Sequence, residues 1–212
     1  MRIFPLGDSA LTIEFGNEIS IVLNNQAVAL ANYFSEHSFD GLIEVVPAYA
    51  SVTVFYDPQV TSFTTLGKLV EESVPSIAST KESPTLVEIP MKIGNDLSPD
   101  LTRVAEHSGL SETGVLDIFL SQSYRVYMLG FLPGFAYMGE VDERIAAPRL
   151  ETPRTKVPTG SIGIAGKQTG VYPLESPGGW NLIGRTDLRM FDPTAEKPCL
   201  LNPGDEVRFV RC

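Results

Sequence analysis

The second half of the sequence concentrates the side chains that grip a small polar ligand. Arginine forks bind carboxylates through paired hydrogen bonds, amide and hydroxyl groups orient a ring, and aromatic faces form pocket walls. The predicted ligand-binding side chains are Phe135, Arg154, Gln168, Thr169, Tyr172, Trp180 and Arg185. Together they favour a binding face for a small polar or carboxylate-bearing ligand. The alternative is that the surrounding Gly and Pro only shape turns and that Trp180 only fills a core.

No self-contained catalytic set accompanies these side chains, and no catalytic residue is identified. The chain has two histidines, His37 and His107, and two cysteines, Cys199 and Cys212. Neither a hydrolytic triad nor a zinc site with ordinary ligand spacing is predicted from them. Any chemistry at the predicted binding face must therefore draw on other groups or on other chains.

One glycine-rich segment, residues 160–169, resembles a phosphate-binding loop. The Walker pattern requires Gly where Ser161 stands and Ser or Thr directly after Lys167, where this chain has Gln168. In the Walker pattern the Ser or Thr hydroxyl after Lys must reach a metal ion from that one position. The mismatch at Ser161 and Gln168 therefore argues against nucleotide binding by this loop alone.

Residues 101–111 resemble a helix-turn-helix, with Ala105 at the crossing and Gly109 in the turn. Affinity for DNA depends on neutralising phosphates, and between positions 98 and 123 the one firm cation is Arg103, against four acidic residues. DNA binding is therefore not expected, and a helical hairpin packed on a domain is favoured.

Composition indicates a globular protein. The 212 residues are 43% hydrophobic and carry a formal net charge of −10. Residues 1–120 hold 5 basic and 16 acidic side chains, whereas residues 121–212 hold 11 basic and 10 acidic ones. The acidic first half opposes binding to nucleic acid and to anionic lipid. Two cysteines, no long apolar run and no signal-peptide pattern predict a soluble, cytoplasmic protein without disulfides.

The elements that must position the binding face change along the chain. Strand and helix patterns alternate over the first 90 residues, with helical stripes from Leu23 to Phe34 and from Phe63 to Val70, the latter closing near Pro75. This order predicts a small ferredoxin-like α+β layer that includes a strand at 86–90. The predicted domains are residues 1–83 and 84–212.

The second predicted domain begins with two helices, 99–107 and 112–122, with Ser98 and Ser111 as N-caps. Short strands separated by Gly and Pro turns follow, which is typical of a β-barrel or sandwich. The predicted strands are 124–129, 160–165, 180–185, 188–191 and 207–210.

Several of the turn-rich segments resemble the allophanate hydrolase subunit 1 family. The helix pair, the opening residues 6–11 and the closing residues 203–209 are similar to that family as well, so the resemblance covers essentially the whole chain. The family includes the B subunit of bacterial 5-oxoprolinase and the Kip inhibitor (KipI) of a sporulation histidine kinase. The segments that carry the resemblance are residues 124–126, 129–135, 153–154, 157–161, 168–173, 176–180 and 182–186.

This resemblance implies a fold, partners and a cofactor. The implied fold is a small α/β domain followed by a helical hairpin and a cyclophilin-like β-barrel. The implied partners are the allophanate hydrolase subunit 2 family protein, which is the C subunit of 5-oxoprolinase, and the A subunit of the same enzyme. Their hetero-oligomer opens 5-oxoproline to glutamate with ATP hydrolysis, so ATP is implied for the complex, with no site assigned here. The chain alone is expected to be inactive or weakly active.

Side-chain chemistry suggests roles for the predicted binding residues, and the sequence departs from the family pattern at one position. With 5-oxoproline as ligand, Arg154 or Arg185 is expected to hold the carboxylate, and Gln168 and Thr169 to hydrogen-bond the ring amide, between the three aromatic walls. Phe119 stands where some relatives carry His. The alternative function is a regulatory inhibitor that binds a sensor histidine kinase through the barrel.

Overall fold

Two compact units make up the chain, Met1–Ser83 and Pro84–Cys212. The computed structural model describes residues 1–77 and 84–212. No helix in these two ranges is both long and apolar enough to cross a bilayer.

The first unit is a four-stranded antiparallel sheet with two helices. Its elements are β1 (Arg2–Pro5), β2 (Ala10–Glu14), α1 (Ile21–Glu36), β3 (Leu42–Pro47), β4 (Ser51–Tyr56) and α2 (Phe63–Ile77). The sheet order is β1-β2-β4-β3. Strands β2 and β4 are central because their alternating apolar side chains pack against the helices. The core includes Leu11, Ile13, Leu30, Phe34, Val52, Val54, Leu66 and Val70.

The predicted ferredoxin-like layer is not confirmed. The predicted strand at 86–90 is present as β5 (Leu86–Met91), but it pairs in parallel with the last strand of the second unit. The edge of the first sheet is formed instead by β1, which pairs antiparallel with β2, and Arg2 forms an ion pair with Glu14 across them. Strand β1 escaped prediction because its four residues, ending in Pro5, show too little alternation.

The second unit carries the predicted helical hairpin, formed by α3 (Leu101–Ser108) and α4 (Glu112–Leu120). Gly109 ends α3 in the left-handed conformation at φ 65°, and the Ser111 hydroxyl caps α4 by accepting the N–H of Gly114 at 3.0 Å. The Ser98 N-cap prediction was wrong. Asp100 precedes α3, and the Ser98 hydroxyl instead donates to the Gly94 carbonyl at 2.8 Å.

Eight strands follow β5 in this unit. They are β6 (Ser123–Leu129), β7 (Ala136–Gly139), β8 (Arg154–Val157), β9 (Ser161–Ala165), β10 (Gln168–Val171), β11 (Ser176–Gly178), β12 (Asn181–Arg185) and β13 (Glu206–Arg211). Seven strands form a nearly closed, barrel-like sheet in the order β12-β9-β10-β7-β6-β13-β5, and β8 and β11 form a separate two-stranded ribbon. Lys92 and Arg185 join the two edges of the larger sheet, because their backbones exchange hydrogen bonds of 2.7 and 2.9 Å.

Apolar side chains fill the interior of this sheet, among them Val126, Met138, Ile164, Ile183 and Val207. Four of the five strands predicted in this half are present within one residue or so at their ends. The strand predicted at 188–191 is not formed. In this segment only Phe191 forms a β-bridge, a single isolated one to Cys199. The cyclophilin-like assignment of the barrel stays a prediction.

Candidate functional site

An aromatic cluster lies on the face of strands β9 and β10 opposite the barrel interior. Ile164 of β9 points into the interior, so its neighbour Gly163 faces the other way, opposite Gly170 of β10. A Cβ atom at Gly163 would lie 3.0 Å from the Cβ of Trp180, and one at Gly170 would lie 3.1 Å from Cζ of Phe135. These two glycines therefore form the flat floor on which the rings rest.

The three predicted aromatic walls come together on this floor. The centroid of the Phe135 ring lies 5.3 Å from that of Tyr172 and 5.4 Å from that of Trp180, with interplanar angles of 75° and 82°. Such edge-to-face pairs are the favoured geometry for aromatic rings. All three side chains are buried and belong to one apolar cluster, so they form a packed layer, and their predicted role as pocket walls stays a prediction.

Phe131 is the exposed member of the cluster and was not predicted as a site residue. Its side chain is 59% exposed, yet its ring packs edge-to-face on Phe135 at 5.5 Å. Its φ of 70° places a non-glycine residue in the left-handed region, which costs roughly 1–2 kcal/mol. The sequence signal that pointed here is an aromatic residue set between Gly130 and Gly134.

Arg154 lies beside the cluster and is bound to a buried carboxylate. Its Nη2 donates to Oδ1 of Asp100 at 2.6 Å, and Oδ2 of Asp100 accepts the backbone N–H of Leu182 at 2.7 Å. The Nη1 of Arg154 is buried and has no hydrogen-bond partner among residues 1–77 and 84–212. Arg154 thus ties β8 to the start of α3 with one nitrogen and leaves the other unsatisfied.

A second guanidinium, that of Arg149, lies over the cluster and was also missed as a site residue. Its Cζ is 5.9 Å from the centroid of the Trp180 ring, within the range of a cation–π contact. Burial raises the pKa of the Tyr172 hydroxyl, while the Trp180 backbone N–H and the positive charges of Arg149 and Arg154 act in the opposite direction. Both arginines are therefore within electrostatic reach of one tyrosine hydroxyl.

The other three predicted binding residues do not lie together. Gln168 pairs with Ala165 at one end of β9, whereas Arg185 pairs with Ser161 at the other end, a separation of roughly 13 Å at about 3.3 Å per residue. The Nε of Arg185 donates to the Thr159 carbonyl at 2.9 Å. The structure therefore does not bring Gln168 and Arg185 to a single spot.

Thr169 lies on the interior side of β10. It pairs with Ile164, is fully buried, and donates its hydroxyl to the carbonyl of Gly163 at 2.9 Å. This hydroxyl satisfies its hydrogen bond within the sheet. Its burial opposes the predicted contact with a ligand, which stays a prediction.

The glycine-rich segment does not fit the phosphates of ATP. It forms strand β9, a turn at Gly166 and Lys167, and strand β10, whereas a phosphate-binding loop leads into a helix whose N–H groups face the anion. Lys167 is also engaged in an ion pair with Glu143. Within the described ranges no group of three or more acidic, His or Cys side chains is arranged to hold a metal ion.

Phe119, the departure from the family pattern, is a core residue. Its side chain is fully buried, with its ring 5.1 Å from that of Phe209 and 4.9 Å from that of Tyr124. The position therefore contributes packing between α4 and the barrel in this chain.

Comparison with known proteins assigns the family. The family described as the carboxyltransferase domain, subdomain C and D, matches residues 1–201. The 5-oxoprolinase B subunit of Bacillus subtilis is 48% identical, covering 99% of this chain and 92% of that protein. The protein of the same name from Escherichia coli O157:H7 is 40% identical, covering 99% and 95%.

Structural comparison agrees. The crystal structure of TTHA0988 matches with a TM-score of 0.86 at 39% identity, over 96% of this chain and 40% of that one. The resemblance found in the motifs is confirmed by matches along nearly the whole chain. The chain therefore belongs to the carboxyltransferase subdomain C and D family, and its curated relatives include bacterial 5-oxoprolinase B subunits.

Proposed function

We propose that this chain is a non-autonomous subunit of an ATP-dependent 5-oxoprolinase. Its partners are then a protein of the subunit 2 family, the C subunit of 5-oxoprolinase, and the A subunit as the third component. The observation that carries this proposal is the identity of 37–48% to three 5-oxoprolinase B subunits over 99% of the chain. The cluster of aromatic rings and arginines supports it, because these groups suit a small ring that bears a carboxylate.

The proposed reaction breaks the C–N bond of the lactam and adds water across it, so that a carboxylate and an amine replace the ring amide. ATP hydrolysis in the complex supplies the activation of the lactam carbonyl, and the glycine-rich segment of this chain does not fit a nucleotide, so that segment is not proposed as the ATP site. Arg154 holds the substrate carboxylate, Gln168 contacts the ring amide, and the aromatic cluster forms one wall. Binding and orientation are then the contribution of this chain.

Reconstitution tests the proposal. The three subunits are mixed with 5-oxoproline and ATP, glutamate is measured, and each subunit is omitted in turn. We expect turnover only with all three. Turnover that persists without this chain refutes its role. Recovery of a histidine kinase rather than the other subunits from native cells, without hydrolysis, would favour the inhibitor hypothesis.

Arg154→Ala and Arg185→Ala separate the two arginines that the sequence suggested. We expect Arg154→Ala to abolish most turnover and Arg185→Ala to leave it, because the Nε of Arg185 is already bound to the Thr159 carbonyl. Arg154→Lys, which keeps the charge beside Asp100, guards against a folding defect. Arg144→Ala serves as the control, since that side chain is exposed and pairs with Asp142. A wild-type rate in Arg154→Ala would remove the carboxylate assignment.

A further inference from the structure

We propose that Arg149, stacked on Trp180, forms with Arg154 a binding site for the carboxylate of a small planar acid. Arg149 is then a specificity-determining residue that the motifs did not reveal. The inference rests on the proposed function in that it takes 5-oxoproline as the acid, but the site requires only a carboxylate on a flat ring.

The surroundings of Arg149 leave its charge available. Arg144 and Arg189 each bind an aspartate close to them in sequence. For Arg149 no ion pair occurs among residues 1–77 and 84–212, and its guanidinium lies over an indole instead. A guanidinium held over an aromatic face keeps its N–H donors in its own plane, where a carboxylate can accept two of them.

Arg154 supplies the second donor. A buried N–H without an acceptor destabilises a folded protein, so the unsatisfied Nη1 of Arg154 requires an explanation. Asp100 cannot provide it, because one of its oxygens accepts from Nη2 of Arg154 and the other from Leu182 N–H. The described residues supply no acceptor for Nη1, and a ligand carboxylate that reached this nitrogen would supply one together with the opposite charge.

The aromatic groups provide the apolar part of the site. The exposed ring of Phe131 offers flat surface on the aromatic cluster, and Trp180 lies buried beneath the guanidinium of Arg149. Gly178 keeps the ribbon close to that cluster, since a Cβ there would lie 2.4 Å from the Tyr172 hydroxyl oxygen. A planar ring acid matches this combination of flat apolar surface and two cations that both act on the Tyr172 hydroxyl.

A binding measurement on the full chain tests the inference without enzymatic turnover. Trp180 is the one tryptophan in the sequence, so its emission reports directly on the site. The chain is titrated with 5-oxoproline by fluorescence and calorimetry, and in parallel with 2-pyrrolidone, the same ring without the carboxylate. We expect saturable binding of 5-oxoproline and at least tenfold weaker binding of 2-pyrrolidone. Equal affinity, or no binding of either compound, overturns the proposal.

Arg149→Gln gives the decisive comparison, with Arg144→Gln as the control of equal charge. We expect Arg149→Gln to weaken 5-oxoproline binding at least tenfold and Arg144→Gln to leave it within twofold. In the reconstituted complex Arg149→Gln should raise KM for 5-oxoproline and change kcat little. If the wild-type complex shows no turnover while the titrations behave as expected, the proposed function fails and the carboxylate site stands.

A carboxylate can also reach Arg149 from an acidic side chain of a partner protein. Arg149→Gln would then weaken co-purification of the complex and leave 5-oxoproline binding and KM unchanged. That result refutes the small-ligand site. An active complex in which Arg149→Gln and Arg144→Gln behave alike, in binding and in KM, refutes it equally while leaving the proposed function in place.

Discussion

Asp100 is the residue whose removal should most disturb the region of the candidate site. Its side chain is 8% exposed, and its carboxylate accepts hydrogen bonds from Arg154 and from the backbone of Leu182. Three elements meet at this carboxylate: the start of α3, strand β8 and strand β12. Asp100→Ala therefore cuts two connections at once.

The expected cost follows from these contacts. A hydrogen bond to a charged group contributes about 1.5–3 kcal/mol, and the exchange also leaves the buried N–H of Leu182 without its acceptor. The side chain of Arg154 is 29% exposed, so water recovers part of its lost interaction. We expect Asp100→Ala to lower the free energy of unfolding by about 3 kcal/mol. Asp100→Asn, which keeps an acceptor for Leu182, should cost roughly half as much.

Urea denaturation followed by Trp180 emission measures this effect, because Trp180 belongs to the same unit as Asp100. Glu143→Ala is the control. It also removes one negative charge and one ion pair, but the Glu143 side chain is 79% exposed, and exposed pairs contribute about 0–1 kcal/mol. If Asp100→Ala costs no more than Glu143→Ala, the buried pair does not organise this region and the reasoning is refuted.

Three further predictions follow from single contacts. Gly178→Ala should destabilise the second unit by about 1–3 kcal/mol in urea denaturation, because the new Cβ would overlap the buried Tyr172 hydroxyl. Thr169→Val should lower the free energy of unfolding by about 1 kcal/mol in urea denaturation. In the reconstituted complex it should leave KM for 5-oxoproline unchanged, and a raised KM would restore Thr169 as a substrate contact. The Arg144 side chain lowers the pKa of Asp142 to about 2, so Arg144→Ala should raise that pKa in an NMR titration. Because the folded pKa is depressed, the stabilisation that Arg144→Ala removes should be present above pH 4 and vanish towards pH 2; a difference that persists at pH 2 contradicts this.

The local spacing of apolar residues predicted most of the helices and several of the strands. Helix α1 follows from the stripe between Leu23 and Phe34, and β4 from a short β-branched and aromatic run before Asp57 and Pro58. Short strands without alternation were missed, β1 and β8 among them. The strand at 86–90 was found but assigned to the wrong sheet, because period alone does not say which strand a segment will pair with.

The candidate site was predictable by residue type and less so by arrangement. Phe135, Tyr172 and Trp180 meet in one cluster because aromatic side chains between Gly and Pro turns pack on one another, and their role as pocket walls stays a prediction. Arg149 was passed over because its sequence neighbours give no sign that its guanidinium lies over a ring 31 positions later. Thr169 was chosen by type, and only the pleat of β10 shows that it faces the interior.

The sequence by itself determined the helices, most strands of the barrel and the family, since these depend on spacing within short segments and on long ordered motifs. Tertiary structure decided which groups meet. It pairs Arg154 with Asp100, closes the barrel through Lys92 and Arg185, and brings β5 beside β13. The physical reason is that such contacts join residues separated by 50 or more positions, and their formation depends on the packing of the whole sheet rather than on any local period.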